Sequence, residues 1–266
     1  MGDADQSPHA PQGDAPTRRF TGRVGDYAKH RPSYPPEAID ALLEGIAPGA
    51  WAADIGAGTG ISTRLLLDRG INVHAVEPNA DMRRRGKADT ASFGTRVLWH
   101  DSTGERTGLA DAAVSLVLCA QSLHWLEGAA AMHEFARILS PGGRAAALWN
   151  VHDVRDPAMA AYRDVVMRHA RDVPRSPWFR NDACVLGAPA ARAAGLTGYR
   201  LREFPNQHTV TLEGLIGRAM SASYMPAEGP QRAAAESDLA DLFVRFASGG
   251  SLVMRYVCEL HIAERV

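Results

Sequence analysis

Three cysteines in 266 residues, Cys119, Cys184 and Cys258, are too few and too scattered for a disulfide framework. None belongs to a Cys-x-x-Cys pair or a Cys/His cluster at metal-ligand spacing, so no metal is expected and a reduced, cytoplasmic protein is the simple reading. Charge of one sign is missing too, since 29 Lys and Arg stand against 30 Asp and Glu. Without a basic field, neither nucleic acid nor an anionic membrane is an expected partner. No apolar run reaches the roughly 18 residues that would span a bilayer. The first eighteen residues lack the basic start and apolar middle of a signal peptide and read as a disordered tail. One large core with a modest cap is expected at this length, as a monomer or a homodimer.

What is present is an alternation of short apolar runs with helical stretches, the habit of a parallel sheet covered on both faces. "WAADIG" from Trp51, "NVHAVEP" from Asn72, "RVLWHD" from Arg96, "AAVSLVLCAQS" from Ala112 and "RAAALWN" from Arg144 read as five strands. Between them, "ISTRLLLDRG" and "AAAMHEFARIL" read as helices, each stopped by glycine or by proline and glycine. The rhythm breaks after Asn150. Residues 151–198 read as a helical cap insertion, with a helix over "DPAMAAYRDVVMRHARDV". Residues 199–266 supply two further strands with helices between them, and the terminal "SLVMRYVCELHIAERV" is expected as an antiparallel partner at the sheet edge.

The stretch "AADIGAGTG" ends the first strand in glycines at Gly56, Gly58 and Gly60, a turn that brings backbone close to a ligand. A triphosphate loop requires a lysine after its last glycine, and Ile61 stands there. A dinucleotide fingerprint fits better, with Glu77 as the acid about 20 residues on. Its third glycine, however, comes one place early here. Asp54, preceding the turn, would repel a pyrophosphate and could accept from an ammonium group.

With Asp54 and the G-x-G-x-G turn, the chain resembles the class I S-adenosylmethionine methyltransferases. Further matches extend over most of the chain in order: Glu77-Pro78-Asn79 with Met82, then His100 to Ser102, then "AQSLHW" and "LSPGGRAAALWN". Ahead of them, "DYAKHRPSYP" resembles the Y-x-x-x-R-P-x-Y-P segment of a small-molecule subfamily related to trans-aconitate and ubiquinone-pathway methyltransferases. The resemblance implies an α/β fold: a Rossmann-like, doubly wound, mostly parallel seven-stranded sheet with an antiparallel edge strand and a small cap over the ligand edge. It implies S-adenosylmethionine as cofactor and S-adenosylhomocysteine as product, held by residues 19–150 with their opening helices.

Carried over residue by residue, the resemblance places Gly56, Gly58, Gly60 and Asp54 beneath the methionine and ribose. It puts Glu77 on the ribose hydroxyls, Met82, Asp101 and Ser102 about the adenine, Gln121 along the methionine, and Tyr27 and Arg31 over the cofactor. Arg31 would meet its carboxylate.

Strand ends at the carboxyl edge of such a sheet line the crevice. His124 is therefore a candidate proton acceptor, and Trp125, Trp149 and Asn150 are candidate substrate contacts. Trp178 and Tyr224 of the cap could wall an aromatic substrate, and the cap arginines Arg155, Arg163, Arg168, Arg171, Arg175 and Arg180 could recruit an acidic one. The expected reaction is methylation of N, O or C on a small molecule. The Ala- and Arg-rich composition suggests a high-GC bacterium, where a planar secondary metabolite is one such substrate. Methylation of a small carboxylic acid, a nicotinamide-dependent oxidoreductase and a non-catalytic S-adenosylmethionine-binding protein remain alternatives.

Overall fold

A computed structural model describes residues 31–171, 185–222 and 224–266. Strand β1 (Trp51–Ile55) is alanine-rich and buried from Ala52 onward. β1 pairs in parallel with β2 (Asn72–Val76) on one side and β4 (Val114–Ala120) on the other. β3 (Val97–His100) lies beyond β2, and β5 (Leu139–His152) beyond β4. With β6 (Leu196–Val210) and β7 (Leu252–Arg265), the order is β3-β2-β1-β4-β5-β7-β6. The fold is thus an α/β, doubly wound, seven-stranded sheet, parallel from β1 to β5.

Side chains alternate between the two faces, as the period of a strand demands. Ala53, Val117, Phe135 and Ala147 meet on the face covered by helix α4 (Gly128–Ile138). Ala52, Leu116, Leu118 and Leu148 meet on the other, under α1 (Pro36–Leu43) and α2 (Ile61–Asp68) through Ile39 and Leu66. Each fully buried Leu or Phe contributes about 1.5–3 kcal/mol. α3 (Ala80–Asp89) flanks β2, and its start is fixed by Asn79 Oδ1, which accepts from the N–H groups of Asp81 and Met82.

A third cluster is separate from these. α5 (Pro157–His169) packs with α7 (Leu212–Met220) and α8 (Gly229–Phe246) around Tyr162, Met220 and Leu239, joined by Met254 and Tyr256 of β7. The short α6 (Pro189–Ala193) instead places Ala191 against the α4 face. The apolar cap cluster therefore draws on two stretches of chain, one before β6 and one between β6 and β7.

The terminal strand differs from its expected place. β7 enters between β5 and β6, antiparallel to both, and β6 takes the margin. Burial explains the exchange. β7 is buried almost throughout its second half, whereas β6 alternates exposed and half-buried positions and carries Arg200, Arg202 and Glu203. Pro205 lies midway along β6, in register with Val257.

Candidate functional site

The chain leaving β1 reaches α2 within five residues, and it does so through three left-handed glycines, with φ of 68° at Gly56, 59° at Gly58 and 79° at Gly60. A Cβ is unfavourable there. The three also differ in what surrounds them. A Cβ on Gly56 would lie 2.5 Å from Ser122 Cβ, and one on Gly60 would lie 3.4 Å from the Trp99 ring. One on Gly58 would meet only the Gly56 carbonyl oxygen, at 4.0 Å. Gly56 and Gly60 thus let neighbours pack, while Gly58 keeps a space open.

That space belongs to a recess open to solvent, lined by the glycine turn, Arg31, Tyr34, Ser62, Gln121 and Arg218. It sits at the carboxyl ends of β1 and β4, where the strand order reverses and ligands of such sheets bind. Gln121 is held there at φ 60°, its N–H donating to Leu148 O at 2.9 Å. A non-glycine residue in this conformation stores strain of the kind found at ligand sites.

Glu77 directly follows β2 and grips the turn from the side. Its Oε2 accepts from the Gly58 N–H at 2.9 Å and its Oε1 from the Asn79 N–H at 2.7 Å. Burial raises its pKa, opposed by these two N–H groups and by the charge of Arg83. Arg83 ties the neighbouring strand ends together, donating to Glu77 O at 2.6 Å and to Asp101 Oδ2 at 2.7 Å. Asp101 is exposed, Ser102 Oγ donates to Thr107 O at 2.9 Å, and Met82 is buried in α3.

Asp54 points away from the recess. Its side chain lies on the α2 face, where Oδ2 accepts from Ser62 Oγ at 2.8 Å and Thr63 Oγ1 at 2.6 Å. It clamps the first turn of α2 to β1. Fully buried, with Oδ1 lacking a partner, its carboxyl has a pKa raised by desolvation to about 6.

His124 and Trp125 follow β4 in a short 3-10 turn, their rings 4.8 Å apart. The His124 side chain is exposed to solvent on one side and crowded by protein on the others, with Arg31 near it. Desolvation, helped by the charge of Arg31, lowers its pKa to about 4. The imidazole is neutral at pH 7 and a weak base.

Trp149 turns the other way from the expected crevice position. Its ring is buried on the α4 face, edge-on to His261 at 5.1 Å, because odd-numbered residues of β5 face that side. Asn150, one residue on, is a tie between segments: Nδ2 donates to Ser33 O at 3.2 Å and Oδ1 accepts from Asn206 at 2.8 Å. Tyr224 is half-buried against the cap cluster. Arg155, Arg163 and Arg168 form ion pairs with Asp153, Asp164 and Asp238 at the surface rather than around the recess. Tyr27, Arg175, Trp178, Arg180 and the tail at residues 1–18 lie outside the described residues.

The structure adds Arg218 to the recess. Its signal was its register: it follows Leu215 by three and precedes Ala219, which puts a charged residue on the buried face of α7.

Residues 53–147 match a family described as a methyltransferase domain. An uncharacterized methyltransferase of Mycobacterium tuberculosis is 43% identical over 51% of this chain and 54% of its own length. The match thus spans about half of that relative. A methyltransferase-like protein of Schizosaccharomyces pombe is 27% identical over 83% of this chain and 85% of its own. Among solved structures, a phosphoethanolamine N-methyltransferase of Haemonchus contortus superposes with a TM-score of 0.57 at 14% identity, over 95% of this chain and 58% of that one. Residues 53–147 therefore match the methyltransferase domain family, and the sheet built on them has the Rossmann-like methyltransferase fold.

Proposed function

We propose that the chain is an S-adenosylmethionine-dependent methyltransferase acting on N, O or C of a small molecule. The carrying observation is the turn at Gly58, open on its recess side and held by Glu77. The residues present suit this cofactor. Each Glu77 oxygen accepts one N–H and retains a lone pair, enough for two vicinal hydroxyls. Arg31 would meet a carboxylate, Gln121 would run along the methionine, and Met82, Asp101 and Ser102 would border the adenine. When bound, the cofactor supplies a methyl group made electrophilic by its sulfonium.

The chain's own contribution is then alignment of the nucleophile with the methyl group in this recess. Positioning of this kind is worth about 7 to 11 kcal/mol. A general base supplies about 10²- to 10⁴-fold, roughly 3 to 5 kcal/mol. His124, with its pKa lowered to about 4, is poorly matched to proton abstraction near neutral pH. Calorimetry tests the reading. S-adenosylmethionine and S-adenosylhomocysteine should bind, NAD(P)H should not, and Glu77→Ala should weaken both ligands about tenfold or more. Binding of NAD(P)H alone would overturn it, and binding without methyl transfer to any component of a broad small-molecule extract would leave a cofactor-binding protein that is not an enzyme.

A further inference from the structure

Arg218 carries a charge that no carboxylate among the described residues compensates. The residue is 5% exposed, and it projects from α7 into the recess that also touches Gly58 and Gln121. Its neighbours are phenols: Tyr256, which hydrogen-bonds to it, then Tyr162 and Tyr224. His152 stands against the Tyr162 and Tyr256 rings at 5.5 and 4.9 Å. Arg218 Nε has no hydrogen-bond partner, and no carboxylate among the described residues forms an ion pair with the guanidinium.

Arginine does not escape burial by losing its proton. The phenols cannot neutralise it either, since burial raises the pKa of Tyr162 and of Tyr256 and keeps both protonated. A buried cation without a counter-charge is strongly unfavourable, and an apolar residue would serve the packing of α7 better. Its presence at this buried position argues for an anion that arrives with a ligand.

The surroundings indicate which ligand. Arg218 packs with α5 and β7, on the flank beyond β5, whereas Glu77 and the candidate adenine contacts lie on the opposite flank at β2 and β3. We propose that Arg218 is the anion-recognising residue of the substrate pocket. It takes the carboxylate or phosphate-type oxygens of an acidic small molecule, with Tyr162 and Tyr256 packed behind the guanidinium. This rests on the methyltransferase reading above.

The test uses the full chain saturated with S-adenosylhomocysteine, titrated at fixed ionic strength with benzoate, cinnamate and octanoate, each against its primary amide, and with inorganic phosphate. At least one anion should bind, and the matched amides should not. Arg218→Met should weaken the anion about tenfold or more, Arg218→Lys should retain part of the binding, and S-adenosylhomocysteine affinity should change less than about twofold in both. Equal binding of acids and amides, or no response to any anion by the loaded wild type, would overturn the proposal without a variant being needed. A matching loss of S-adenosylhomocysteine affinity in Arg218→Met would overturn it differently, by making Arg218 a cofactor ligand. Failure of S-adenosylhomocysteine to bind the wild type would instead strike the methyltransferase reading itself.

Discussion

Asp54 has a carboxyl whose pKa rises from 3.8 to about 6 on folding, so the folded state binds its proton more tightly than the unfolded chain. Its contribution to stability is fully present below pH 4 and is lost as pH rises through 6. Two units correspond to about 3 kcal/mol. Asp54→Asn keeps an acceptor for Ser62 and Thr63 without the charge. The stability of this variant relative to wild type should therefore be about 3 kcal/mol more favourable at pH 7.5 than at pH 4, read from denaturant melts of both proteins across pH. A difference that does not vary with pH would mean Asp54 titrates normally. The lowered pKa of His124 leads to a second expectation. With substrate saturating, His124→Gln should keep turnover within about threefold from pH 6 to 9, while a loss of hundredfold or more would make it the general base. The site was partly legible at this scale. The glycines and Glu77 announce themselves by residue type and spacing. The directions of Asp54 and Trp149 do not, because each depends on which face of its strand meets which helix.

At the scale of elements, the strands that form the sheet's centre were readable because burial on both faces makes them continuously apolar. The 18-residue α8 was harder to see. Its buried positions are only Ala235, Leu239 and Leu242, and Glu228 makes no side-chain cap, so neither periodicity nor start signal stands out. α5 has the opposite character. Asp156 Oδ1 accepts from Ala158 and Met159 N–H groups at 2.9 and 3.1 Å, and Pro157 opens the helix. Asp156→Ala should lower stability by about 1 kcal/mol, measurable as a shift in urea midpoint at unchanged slope. The ion pair from Arg255 to Asp156, at 3.3 Å and half-exposed, adds little to that figure.

For the whole molecule, the doubly wound, mostly parallel sheet was implied by the resemblance, whereas the place of β7 and the cap's assembly were not written in any local pattern. Tyr162, Met220 and Leu239 meet across long separations in sequence, and only the packed structure brings Arg218 among them. Local signals report local conformation, and a pocket composed by tertiary contact leaves few of them. β6, the 15-residue outermost strand, carries a different consequence. Its outer side is a row of peptide groups on which another chain could continue the sheet. Pro205 removes one donor from that row, since proline is tolerated in a sheet where its missing N–H faces outward. Pro205→Val should restore the donor and promote concentration-dependent association, visible by sedimentation velocity as heavier species absent from wild type. A single imino acid on the rim would then set where one molecule's sheet stops and the next molecule's is refused.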